Sequence, residues 1–205
     1  PNPFPEENRL DLVVPKTTTK FTRRNDEMFK EISKYCNEIA SYVPGNVISF
    51  FPSYEIRDYV YEHLKDNSTK KLLIEAPNLN KEEKNEILKE FINSKLEGAH
   101  LLAISGGSFG EGVSLKGDNL KAVIIIGVPL AKNDLETQEL IKYYDKKFGN
   151  GMEYGYMMPA FIKVLQNAGR CIRSETDVGV VVYLDERYSW PSYKKYFPHS
   201  IKLNH

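Results

Sequence analysis

Five stretches of the chain are apolar almost without interruption: "NVISFF" (46–51), "KLLIEA" (71–76), "AHLLAIS" (99–105), "KAVIIIGVPL" (121–130) and "GVVVYLD" (179–185). A strand with one wet face alternates apolar and polar residues, whereas a strand buried on both faces does not. Between these runs lie helical patterns. Met28, Phe29, Ile32, Tyr35, Cys36, Ile39, Tyr42 and Val43 recur at three and four and stop at "PG". Ser53 stands where it caps a second helix with Ile56, Tyr59, Val60 and Leu64 on its inner face. Asn80 with Glu83 has capping-box spacing, and two more helices are expected over 134–148 and 159–173. Alternation of this kind predicts an α/β fold with a central, mostly parallel sheet and helices on both faces. In such a sheet ligands bind at the carboxyl ends of the strands.

The flanks read differently. Residues 1–24, rich in Pro and Thr, predict an extended lead-in; 25–190 form the main domain, and 191–205 a terminal segment packed on it by Trp190, Tyr193 and Tyr196. The Gly- and Tyr-rich "KFGNGMEYGYMMP" (147–159) reads as a mobile surface excursion. Lys+Arg and Asp+Glu balance at 28 each, so no global field draws the chain to nucleic acid or membrane, and any such contact must be local. No apolar run approaches a membrane span. The start lacks both an initiator Met and a signal-peptide pattern, which suggests a piece of a longer protein. Cys36 and Cys171 are 135 positions apart, make no metal-ligand spacing and are expected as reduced thiols in a cytoplasmic protein, or a nuclear one if eukaryotic.

Two segments carry candidate chemistry. "SGGSFGEGVSLKGDNL" (105–120) follows a strand, and its glycines let backbone N–H groups approach an anion. A flexible connector is the other reading. No Gly-Lys-[Ser/Thr] closes the loop, so it is not a P-loop. In "QNAGRCIR" (166–173), one helix would place Gln166 and Arg173 within ~20° of each other and Arg170 ~40° away. Gly169 would leave room on that helix for a ligand or another backbone. The ridge fits either a pair of structural ion pairs or a clamp on phosphate, because guanidinium is planar and bidentate. A cation so placed suits charge developing on a transferring γ-phosphoryl group.

"QNAGRCIR" resembles motif VI (Q-x-x-G-R-x-x-R) of superfamily 2 helicases. "SGGSFGEGVSLKGDNLKAVIIIGVPL" resembles motif V of the XPD/DinG branch, "VISFFPSYEIRDYV" its motif IV and "GVVVYLDERY" its following strand. The matches keep the family's order over roughly 20–190. The resemblance implies the second RecA-like, three-layer motor domain of an XPD-type helicase, monomeric, moving 5′→3′ on single-stranded DNA in nucleotide excision repair. It implies that Arg170 and Arg173 reach ATP phosphates across a cleft to the first motor domain, with Gln166 orienting water or phosphate. Glu111, Gly112, Gly169 and Ser114 would line the nucleotide side. Ser114 stands where the family usually has Asp, which removes that carboxylate's contact to the nucleotide sugar.

Ser53, Tyr54, Ser105, Gly106, Gly107 and Ser108 would touch the DNA strand, although Ser53 also suits a cap and Tyr54 a core position. Arg187 suits either a phosphate contact or an ion pair with a neighbouring acidic residue. ATP with Mg2+ would be held mainly by the first motor domain, since this chain has neither a Walker A loop nor a DEAH box. The family's iron–sulfur cluster needs four cysteines, and this chain has two. A different class remains open: a RecA-like module that docks nucleic acid or protein without chemistry.

Overall fold

The computed structural model describes residues 5–110, 115, 117–199 and 201–204. The strands are β1 (Arg9–Val14), β2 (Val47–Phe51), β3 (Lys71–Ile74), β4 (Ala99–Ile104), β5 (Ala122–Ile126), β6 (Gly179–Leu184) and β7 (Leu203–Asn204). Helices are α1 (Asp26–Tyr42), α2 (Tyr54–Leu64), α3 (Lys81–Asn93), α4 (Leu135–Phe148), α5 (Met158–Ala168) and the short α6 (Pro191–Lys194). Among the described residues the sheet has seven strands in the order β3-β4-β2-β5-β6-β1-β7, and every pair is parallel.

The apolar runs are explained by two cores, one on each face. Val47 and Phe51 of β2 and Ala122, Ile124 and Ile126 of β5 pack with α1 and α2 residues such as Ile32, Cys36, Ile56 and Val60. Their neighbours Ile48, Phe50, Val123 and Ile125 pack instead with Phe91 of α3 and Phe161 and Val164 of α5. Each residue of these strands therefore meets a core, and polar residues are tolerated only where they are paired. His100 of β4 is fully buried with its Nε2 2.7 Å from Ser49 Oγ. Burial, helped by the charge of Lys70, lowers its pKa from 6.5 to about 3. Below pH 6.5 the unfolded chain takes up a proton that the folded chain refuses. His100 thus contributes stability above its unfolded pKa that is lost as pH falls toward about 3. The urea midpoint should drop between about pH 7 and about pH 4.5, and His100→Gln should shrink that drop. An equal drop in both proteins would remove His100 as its cause.

The structure corrects the readings of 1–24, 147–159 and Tyr59 and adds a strand to the terminal segment. The segment 1–24 does not merely lead in: β1 pairs with β6 along its whole length and with β7 on its other side. Its charges are internal, since Arg9 Nε lies 2.7 Å from Asp11 Oδ2 and the Tyr183 hydroxyl donates to Asp11. The C-terminal segment closes the sheet through β7 and stacks Tyr196 on Phe161 at 4.5 Å. The stretch 147–159 is not a loop excursion, because a π-helical turn (Glu153–Met157) runs directly into α5. Two of its glycines serve packing: a Cβ at Gly151 or Gly155 would collide with the backbone of α4 at Ile141. Tyr59, expected inside, is half exposed and stacks on Phe29 at 4.8 Å.

Candidate functional site

All strands being parallel, their carboxyl ends share one edge. Ser53, Glu75, the loop from Ser105, Gly127 and Asp185 follow directly or closely on β2, β3, β4, β5 and β6 there. The glycine-rich loop is clamped from two sides. From β3, the buried Glu75 carboxylate accepts from the N–H groups of Ile104, at 2.9 Å, and Ser108. Gly107 is required by this clamp, because a Cβ there would strike Glu75. Burial raises the Glu75 carboxyl above its ordinary value, while those two N–H groups, Arg57 and Lys84 pull the other way. Arg57 of α2 donates to the Glu75 carbonyl and lies 5.3 Å over the ring of Tyr54. From α5, Asn167 Nδ2 donates to Ser105 Oγ at 3.1 Å, and Arg170 donates through Nε and Nη2 to the Gly110 carbonyl.

The two motif arginines therefore differ, which the helix reading did not anticipate. α5 ends at Ala168 rather than running to Arg173, and Gly169 caps it. The chain then turns through Arg170 N–H to the Asn167 carbonyl. Arg170 is buried and bound to the loop. Arg173 is exposed, and its guanidinium makes no hydrogen bond or ion pair among the described residues. Only its backbone is fixed: Asp177 accepts from the N–H groups of Arg173 at 2.8 Å and Ser174 at 2.9 Å, from Gly117 N–H and from the Ser174 hydroxyl. Burial works against the Asp177 carboxylate, but these donors outweigh it and hold its pKa below the usual value. Gln166 is exposed near the end of α5.

The remaining expected residues divide as follows. Ser53 caps α2, its Oγ accepting from Ile56 N–H at 3.3 Å, and Tyr54 is half-buried beneath Arg57. Gly106, with φ +82°, is the exposed tip of the loop, Gly107 and Ser108 are half-buried, and Ser105 is buried against Asn167. Glu111, Gly112 and Ser114 lie outside the described residues. Arg187 is not at the surface: it is 5% exposed and makes a bidentate pair with Asp185 at 2.7 and 2.8 Å. Its charge is met inside the protein, so the ion pair is the arrangement present. The two thiols sit in the cores on opposite faces of the sheet, with burial pushing both up to about 12, so they do not fit a shared cluster.

Glu75, Asn167 and Asp177, which hold the loop and the arginine segment, were not singled out by the sequence. Glu75 had a signal in the sequence, a carboxylate ending an apolar strand at the ligand edge. Asn167 acts through a bond distant in the chain, and Asp177 joins a local turn at Arg173 and Ser174 to the distant Gly117, so neither carried one.

A profile of the family described as helicase C-terminal domain matches residues 36–204. The chain belongs to that family. That span contains the three stretches that resemble helicase motifs IV, V and VI. Among similar curated proteins, the ATP-dependent DNA helicase DDX11 of Danio rerio is 27% identical, covering 91% of this chain and 24% of the relative. The ATP-dependent DNA helicase CHL1 of Eremothecium gossypii is 28% identical, covering 92% and 26%. A solved XPD structure in the apo form superposes with a TM-score of 0.74 at 24% identity, covering 92% of this chain and 38% of that one, which shows the shared fold. The domain thus spans about a quarter of the length of the curated relatives it matches. Among its described residues no helix is long and apolar enough to cross a membrane.

Proposed function

We propose that this domain is the second motor half of an ATP-dependent DNA helicase, presenting Arg173 to a nucleotide held mainly by a first motor domain. The observation that carries the reading is the contrast between the two arginines. Arg170 is consumed in holding the loop, while Arg173 is an exposed cation on an anchored backbone with no partner among the described residues. A purely structural pair would have both guanidinium groups satisfied. ATP with Mg2+, when bound, supplies the phosphoryl group that is transferred to water. The domain's own part is to fix the Arg173 backbone through Asp177 and to present Gln166 beside that stretch. It also ties this side to the strand side through Arg170 and the loop.

On the strand side, Gly106, Ser108, Ser53 and Tyr54 lie at the carboxyl edge and form the surface for a single-stranded DNA backbone. That relatives named ATP-dependent DNA helicases match most of this chain supports the reading. The 5′→3′ polarity and a place in nucleotide excision repair follow from the XPD resemblance.

The isolated 205-residue chain should hydrolyse no ATP above a buffer blank, because it has no phosphate-cradling Walker loop. The full-length protein should hydrolyse ATP when single-stranded DNA is added and separate a duplex. Turnover by the isolated chain, or a full-length protein with no DNA-dependent turnover, would overturn the assignment.

A further inference from the structure

A cavity of about 310 Å³ opens at the same edge, beyond the glycine-rich loop. Its walls include Pro129 after β5, Leu140 of α4, Tyr156 of the π-helical turn and Ala160 and Lys163 of α5. The wall is preformed, since the turn packs glycine against the Ile141 backbone and has no side chain there to rearrange. π-Helical turns recur at functional sites. Lys163 belongs to two places at once. It lines the cavity, and its Cε and Nζ lie 3.6 and 3.7 Å from where a Gly106 Cβ would stand. Its ammonium is exposed and has no hydrogen-bond or ion-pair partner among the described residues. The Gly106 N–H likewise donates to nothing among them.

We infer that the cavity is a subsite for one unpaired nucleobase of a DNA single strand, with Lys163 and the Gly106 tip holding the adjoining phosphate. The inference rests on the reading of this edge as the strand side. The chemistry matches on three counts. Lys163 supplies the phosphate with a cation that has no partner among the described residues. Tyr156, Pro159 and Leu140 offer faces for a base, and stacking tolerates any base. Asp134, which also caps α4 through Thr137 N–H, and Glu136 line the cavity and add acceptors for the exocyclic amino groups of bases, donors that a bare phosphate lacks. The volume stands at the small end of the ~300–1,000 Å³ typical of ligand sites, enough for one base rather than a folded segment.

The test uses the 205-residue chain, a short mixed-sequence DNA single strand and a matched abasic strand with the same phosphates, titrated by fluorescence anisotropy from low to moderate salt. Ala131 is an exposed residue at the cavity, so Ala131→Trp should block the mouth without lowering Tm. It should weaken the base-bearing strand about tenfold and leave the abasic strand unchanged. Glu136→Trp, on an exposed position of α4, should do the same should the first variant melt early. Lys163→Ala should weaken both strands and reduce the salt slope by about 1. Blocking variants that leave the base-bearing strand unaffected, or weaken both strands alike, overturn the base subsite, and an unchanged slope in Lys163→Ala overturns the phosphate contact. A parent chain that binds neither strand at low salt overturns the strand-side reading itself.

Discussion

In the full-length protein, Arg173→Ala should lower ATP turnover by a factor on the order of 10³ and leave thermal stability nearly unmoved. The first half follows from where charge appears. A fixed cation that meets negative charge developing on a transferring phosphoryl group acts chiefly on the chemical step, so the loss falls on kcat. The second half follows from the structure. The Arg173 guanidinium is exposed and makes no bond within the described domain, so its removal orphans nothing. Arg173→Lys should rescue little, since a point ammonium does not reproduce a planar fork. DNA affinity without nucleotide should stay within about twofold, because the strand contacts lie with the clamped loop. Arg170→Ala provides the contrast. It strips the Gly110 carbonyl of its buried donors, a cost of about 1–3 kcal/mol, and should lower stability and activity together. If Arg173→Ala melts far lower while its folded fraction hydrolyses ATP normally, Arg173 is structural and the motor assignment of this segment is wrong.

The sheet was legible because burial on both faces leaves no room for polar alternation, and β2 to β6 are written as apolar runs. β1 was hidden because Arg9 and Asp11 neutralise each other inside the sheet, so "RLDLVV" reads as a charged flank until its partners are known. The motif residues were legible by type and order but not by orientation. Helix periodicity placed Gln166, Arg170 and Arg173 on one ridge, whereas Gly169 ends the helix and tertiary bonds to Gly110 and Asp177 decide where each arginine goes. The same holds for "FGNGMEYGYMMP". Of the glycines that suggest a loose connector, Gly151 and Gly155 are there because α4 approaches too closely for any side chain, and Gly149 because it ends α4 at a φ of +69°. Local pattern reports how much of a residue is buried. Which partner buries it is a long-range fact.

Arg187 tests that distinction with a large and opposite signature. Its guanidinium meets Asp185 through two bonds of 2.7 and 2.8 Å and donates to Thr19 Oγ1 at 2.8 Å, while Asp185 also accepts from Thr19 N–H at 2.9 Å. Asp185 is fully buried, and the network ties the end of β6 to the stretch after β1. Burial opposes the charge on Arg187, but the bonds and proximity to Asp185 more than offset it and raise its pKa above the ordinary value. Arg187 therefore stays charged, and its removal takes the one cation and two charged donors from a buried carboxylate that keeps only neutral N–H and O–H partners. Arg187→Ala should cost about 3–5 kcal/mol, a large share of the ~5–15 kcal/mol that holds such a domain together. For a chain of this size that is a fall in Tm of roughly 6–20 °C. Arg187→Met with Asp185→Leu should recover part of the loss, because two apolar side chains leave no buried charge, although Thr19 N–H then lacks its acceptor. Below the lowered Tm, single-stranded DNA should bind the Arg187→Ala variant as it binds the parent, with the same salt slope. A variant that keeps its Tm and loses DNA affinity would instead put Arg187 on the strand.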